Sequence, residues 1–128
     1  MIVSFDFDGT LSLPGVQEYA KELMLKGVDV WVITSRFDEL HKHLYQQHPT
    51  NDDLYSVCDY MGIPLRKIIF TNMELKAEYL ANTNVLWHLD DDIVELGAIR
   101  DSRLKTKAVS VNCKFWKSEC NQIISDNL

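Results

Sequence analysis

No run in this 128-residue chain is long and apolar enough to span a bilayer, and Asp6 and Asp8 interrupt the N-terminal stretch that a secretory signal would need. The expectation is a soluble, cytoplasmic protein without a membrane partner. Cysteine is scarce as well. Cys58, Cys113 and Cys120 are odd in number and form no C-x-x-C pair, which indicates neither a zinc site nor a disulfide framework and leaves them as reduced, structural thiols. Positive charge is in deficit: 13 Lys and Arg face 19 Asp and Glu, for a net charge of -6. That balance disfavours long nucleic acid, which is gripped through a Lys/Arg surface. No repeat, linker or low-complexity stretch divides the chain, so 46% hydrophobic residues in this length make one globular domain with a core of its own. Histidine offers no metal site either, since His41 and His43 diverge on a predicted helix and His88 lies within an apolar strand.

What is present is a regular alternation. Ile2 to Phe7 is a short apolar run, and Pro14 to Lys26 has helical spacing with Val16, Tyr19, Ala20, Leu23 and Met24 on one face and Gly27 as its stop. Val28 to Ile33 is a second strand, rich in β-branched residues. Phe37 to Gln47 places Phe37, Leu40, His41 and Leu44 on one helical stripe that His48-Pro49 would end. A helix from Asn51 or Asp52 to Met61 closes at Gly62. Lys67 to Phe70 is a third strand, followed by a helix carrying Lys76. Val85 to Leu89 is a fourth, then a helix from Ile93 to Ile99, a fifth strand from Ala108 to Val111 and a last helix from Phe115 to Ile124. Strands apolar on both faces and separated by helices imply an α/β fold: a Rossmann-like, three-layer parallel sheet of about five strands. Trp31, Trp87 and Trp116 are core residues by default. The basic stretch Arg100 to Lys107 reads as a solvated turn.

In such a fold ligands bind beyond the carboxyl ends of the strands. Those ends carry the unusual residues: Asp6 and Asp8 after strand one, Thr34-Ser35-Arg36 after strand two, Thr71-Asn72 after strand three, and Asp90-Asp91-Asp92 after strand four. Two carboxylates about 4 Å apart near a protein surface repel by roughly 4 kcal/mol, so several on one rim call for a cation. An oxygen-only set suits Mg²⁺ better than Zn²⁺ or Cu²⁺, and Mg²⁺ held by few carboxylates keeps room for a substrate phosphate. The rim has matching groups for a phosphate: backbone N–H groups at Gly9 and Thr10, hydroxyls at Thr34 and Ser35, and positive charge at Lys76 and Arg36. Asp6 is placed to attack phosphorus, and Asp8 to protonate the leaving oxygen and later activate water.

Asp6-Phe-Asp8-Gly9-Thr10-Leu11 resembles the first motif of the haloacid dehalogenase-like (HAD) phosphohydrolases, Asp-x-Asp-Gly-Thr, and the resemblance extends along the chain. Thr34 after Val30-Trp-Val-Ile33 resembles the second motif, Lys76 the third, and Asp90-Asp91 after Leu86-Trp-His-Leu89 the acidic fourth. The resemblance implies Asp6 as nucleophile, Asp8 as general acid/base with its backbone carbonyl on Mg²⁺, and Asp90 and Asp91 completing a metal site with Asp6 and Asp8. Asp92 then begins the next helix, with a one-residue shift between Asp91 and Asp92 as the alternative. An acid at position 8 points to the phosphatase branch. Arg36 stands where some nucleotide and nucleic-acid-end phosphatases of the family put an arginine on phosphate, or it caps the helical region that follows.

Many relatives carry a cap domain between the first and second motifs or after the third strand. Here one turn and one helix fill the stretch from Gly9 to Gly27, Thr71 to Lys76 leaves no room, and the extra residues around Gln46 to Leu54 link two helices, so the resemblance is to a small capless member. The implied substrate is a phosphomonoester, either a small molecule or an exposed phosphate on a macromolecule. The rival reading is a non-hydrolytic module that accepts or binds phosphate, receiver-like or an inactive relative. Receivers place the accepting Asp at strand three, where this chain has Thr71-Asn72. The sequence leaves the oligomeric state open.

Overall fold

The alternation of apolar strands and helices folds as a single wound sheet. The computed structural model describes residues 1–44 and 50–128. Strands β1 (Ile2–Phe5), β2 (Asp29–Thr34), β3 (Ile68–Phe70), β4 (Val85–Asp90) and β5 (Lys107–Ser110) are all parallel, in the spatial order β3-β2-β1-β4-β5. Helices α1 (Pro14–Leu25), α2 (Asp52–Met61), α3 (Lys76–Leu80), α4 (Ile93–Asp101) and α5 (Trp116–Asp126) supply the crossovers and the C-terminal cover. Alternation along the strands divides the core between two faces. Val3, Phe5, Val32, Trp87 and Leu89 pack with α1, α2 and α5, while Ile33, Val85, Ala77, Leu80 and Ile99 form a second cluster with α3 and α4. The result is the three-layer Rossmann-like α/β fold expected, with no separate cap domain among the described residues.

Trp87 anchors the larger cluster, with Phe5 edge-on at 5.2 Å and Tyr19 stacked at 6.4 Å. Each such fully buried apolar side chain contributes roughly 1.5–3 kcal/mol by leaving water. Trp31 and Trp116 are only half-buried. The strand order reverses beside β1: the chain steps outward from β1 through β2 to β3, then crosses back to place β4 on the other side of β1. The tips of β1 and β4 therefore flank the switch point, where this class of sheet opens a crevice.

Most element boundaries match the sequence pattern to within two residues, and two differences stand out. The first strand ends at Phe5, because beyond Asp6 the backbone closes a wide turn in which Leu11 N donates to Asp6 O at 3.0 Å and Ser12 N to Phe7 O at 2.9 Å. The second is a correction: no helix runs through the stripe Phe37, Leu40, His41, Leu44. Asp38 Oδ1 accepts from the backbone N–H groups of Leu40 and His41, both at 3.1 Å, and Asn72 Oδ1 accepts from Asp38 N at 2.9 Å. These side chains offer the backbone partners that a helix would otherwise supply. Among the described residues a short 3₁₀ turn, Lys42–Leu44, follows, and Leu40 and Leu44 face solvent. The expected end of that helix at His48-Pro49 lies outside the described residues.

Candidate active site

Six side chains form one hydrogen-bonded line through the switch point. Asp6 follows β1 directly, its N–H donating to Leu89 O at 2.9 Å, so the β1–β4 ladder itself sets its position. Thr10 Oγ1 donates to Asp6 Oδ2 at 3.0 Å, and Lys76 Nζ donates to Asp6 Oδ1 at 2.8 Å and to Asp90 Oδ2 at 2.6 Å. Beneath Asp90, His88 Nε2 meets the same Oδ2 at 2.8 Å, and His88 Nδ1 meets Ser4 Oγ at 2.8 Å. Ser4 and His88 are direct partners in the β1–β4 register. All six residues are buried.

Period two explains the line. Ser4 and Asp6, like His88 and Asp90, are two apart, so they share a sheet face, the one covered by α3 and α4. Lys76 opens α3 and reaches across to them, with its backbone N–H held by Glu95 Oε2 of α4 at 2.9 Å. Burial lowers the His88 pKa against the pull of Asp90. A neutral ring with its proton on Nε2 would donate to Asp90 and accept from the Ser4 hydroxyl at Nδ1.

Asp91 joins from the β4–α4 turn. Carboxylate oxygens of Asp6, Asp90 and Asp91 lie within 4.8 Å of one another. Asp92 is outside the cluster and caps α4, accepting from Val94 N at 2.8 Å and Glu95 N at 3.4 Å. Gly9 makes room for Asp91. Its φ is +75°, and a Cβ there would lie 2.3 Å from Asp91 Oδ2.

The electrostatics are unbalanced, with three acids around one lysine. Burial, helped by Asp90, pushes Asp6 up to about 8 in spite of Lys76. Burial and Asp90 likewise raise Asp91. Asp90 is the exception: burial would raise it, but His88 and Lys76 hold it below the usual carboxylate range. Burial would lower Lys76 too, yet Asp6 and Asp90 outweigh it and keep the ammonium charged. A divalent cation on the Asp6, Asp90 and Asp91 oxygens would relieve this repulsion. The donor set is oxygen-only, the chemistry that Mg²⁺ requires.

The other residues singled out in the sequence are placed as follows. Asp8 is in extended conformation, and its carboxylate turns to Arg36, which donates from Nε at 2.9 Å and from Nη2 at 2.7 Å. Its side chain is not one of the three that cluster. Arg36 also donates from both terminal nitrogens to Asp53 of α2, at 2.7 and 2.8 Å, so its fork is engaged by protein carboxylates. Thr34 is buried at the tip of β2, and its Oγ1 accepts from Arg36 N at 3.2 Å. Gly9 N donates to Ser12 Oγ at 3.1 Å, and the Thr10 hydroxyl is used by Asp6. Ser35 is half-buried beside Thr34, its carbonyl accepting from Met73 N at 2.8 Å.

Sequence reasoning missed Ser4, His88, Asp53 and Glu95. For Ser4 and His88 a signal was available, since each stands two residues before a site aspartate. For Asp53 and Glu95 there was none, because both meet the site only through tertiary packing. No helix of the described residues is long and apolar enough to cross a membrane. No family model matches the chain, and it matches no curated protein.

Proposed function

We propose that the protein is a Mg²⁺-dependent phosphomonoester hydrolase of the HAD type, working through a phosphoryl group on Asp6. The observation that carries this reading is the placement of Asp6 at the switch point, bonded to Lys76 and within 4.8 Å of the Asp90 and Asp91 oxygens. Bound there, Mg²⁺ would supply charge neutralisation for a phosphate dianion at an otherwise anionic rim.

The residues themselves divide the chemistry. Lys76 and Thr10 hold the two Asp6 oxygens from opposite sides, which fixes the direction of the carboxylate. In the first step an Asp6 oxygen bonds to phosphorus as the ester P–O bond breaks, and the Asp8 carboxyl gives its proton to the departing oxygen. In the second, the Asp8 carboxylate takes a proton from water, whose oxygen bonds to phosphorus and returns Asp6 as carboxylate with release of inorganic phosphate. Thr34 at the tip of β2 and Ser35 just beyond it are the hydroxyls this reading assigns to the phosphoryl oxygens. With no separate cap domain among the described residues, a small phosphomonoester and an exposed phosphate on a macromolecule both fit this reading.

The strand order weighs against the receiver-like alternative. Receivers follow the order 2-1-3-4-5, whereas this sheet runs β3-β2-β1-β4-β5. The test is release of inorganic phosphate from an aryl phosphate, with and without Mg²⁺, by the wild type and Asp6→Asn. The expected result is Mg²⁺-dependent turnover that the substitution abolishes. Turnover that survives Asp6→Asn, or that ignores Mg²⁺, rejects the mechanism.

A further inference from the structure

Arg36 carries the densest set of charged hydrogen bonds among the described residues. Its Nε and Nη2 pair with the two oxygens of Asp8, and its Nη1 and Nη2 pair with the two oxygens of Asp53. The arrangement is inside out. The Arg36 side chain is 2% exposed, while those of Asp8 and Asp53 are 45% and 62% exposed. The Phe7 ring lies against the guanidinium, its centroid 5.1 Å from Cζ.

One carboxylate would suffice to neutralise a buried guanidinium. The second adds direction. Asp8 and Asp53 together engage four N–H groups of a planar fork, so the plane of the fork is set by α2, and the Asp8 carboxylate follows that plane. Without Asp53 the pair with Asp8 survives but its orientation is no longer fixed from the helix side. Orientation matters for Asp8 more than for its neighbours. Asp6 and Asp90 are buried and held by several donors, whereas Asp8 is half-exposed on a turn and its carboxylate pairs with Arg36. An acid/base group must keep within roughly 2.6–3.2 Å of the oxygen it serves, and a 1 Å misplacement can cost about a hundredfold in rate.

We propose that Asp53, acting through Arg36, is a positioning residue that holds the Asp8 carboxyl in the orientation used for proton transfer to and from the reacting oxygens. The assignment rests on the phosphatase reading above. It gives Arg36 a task inside the protein in place of the phosphate contact or helix cap between which the sequence left it, and it makes the start of α2 part of the catalytic apparatus.

The experiment compares two phosphomonoesters, p-nitrophenyl phosphate with a good leaving group and glycerol 2-phosphate with a poor one. The proteins are the wild type, Asp53→Asn, Asp53→Glu, Asp8→Asn and the Asp8→Asn/Asp53→Asn double variant, each with its thermal midpoint recorded. Protonation of the leaving oxygen matters most for the alkoxide. Asp53→Asn should therefore lower kcat/KM, which reports only the step that forms phospho-Asp6, by roughly 10-fold or more on glycerol 2-phosphate and by no more than about 3-fold on the aryl ester. Asp53→Glu should recover part of the loss, and the double variant should lose no more than Asp8→Asn alone. An equal loss of kcat/KM on both esters, losses that add in the double variant, or faster turnover on removing Asp53 would each overturn the positioning role while leaving the phosphatase intact. Absence of wild-type turnover on both esters would instead remove the phosphatase reading, and this assignment with it.

Discussion

Replacing Lys76 by methionine keeps the length and most of the volume of the side chain but deletes the single ammonium that serves two buried acids. Asp6 and Asp90 accept from it at 2.8 and 2.6 Å, and their side chains are 6% and 0% exposed. Breaking a buried pair by removing one partner typically costs about 3–5 kcal/mol, because the remaining charge is left without compensation. In a domain of this size that loss corresponds to a fall in thermal midpoint of roughly 10–20 °C. The sign of its pH dependence follows from the acids. Asp6 already has a raised folded pKa of about 8 against 3.8 when unfolded, so in the metal-free protein its contribution to stability falls as pH climbs between those values. Without Lys76 the burial and the repulsion from Asp90 act on Asp6 unopposed, and Asp90 keeps only His88. The penalty should therefore be largest near pH 9, where wild-type Asp6 is ionised beside Lys76, and shrink toward pH 6, where Asp6 holds its proton with or without the lysine. Melting curves followed by circular dichroism at both pH values, in chelator and then in Mg²⁺, test this. Mg²⁺ should raise the midpoint of Lys76→Met more than that of the wild type. A drop of less than about 3 °C at pH 9, or the same drop at both pH values, would refute the argument that the lysine offsets buried charge.

Two further substitutions probe the surroundings of the same cluster. Gly9→Ala combines a left-handed backbone, φ +75°, with a Cβ contact of 2.3 Å to Asp91 Oδ2. It should cost about 1–2 kcal/mol in urea unfolding and shift the Mg²⁺ titration of phosphate release to higher concentration, because Asp91 must move. Unaltered Mg²⁺ dependence would show that Asp91 is not a metal ligand. His88→Leu strands the Ser4 hydroxyl and removes one donor from Asp90, for a loss of about 2–3 kcal/mol by denaturant unfolding. Adding Ser4→Ala to His88→Leu should recover part of that loss, since the stranded hydroxyl goes with it; strictly additive losses would mean that the Ser4–His88 bond contributes nothing.

The fold was legible because its signals are local. Apolar runs of strand length, helical stripes and the stops at Gly27 and Gly62 recur along the chain, and an all-parallel sheet follows from strands that are apolar on both faces. The one helix read wrongly, from Phe37 onward, had the right spacing of apolar residues. Its periodicity lost to hydrogen bonds from Asp38 and from Asn72, a residue 34 positions away from Asp38 in sequence.

By itself the sequence determined which chemical groups stand at the strand tips, since where a strand ends is decided by its own residues. The topology rule then places Asp6, Thr34 and Asp90 on one rim. Only the tertiary structure decided how those groups are paired. Three acids and a lysine on a rim are compatible with several hydrogen-bond arrangements, and the choice falls to packing. The entry of α3 beneath β1 and β4 puts Lys76 between Asp6 and Asp90, the β1–β4 register puts Ser4 against His88, and the start of α2 delivers Asp53 to Arg36 and so directs Asp8. Charge pairing depends on distances of a few ångströms between segments far apart in the chain, and those distances exist only once the layers have closed.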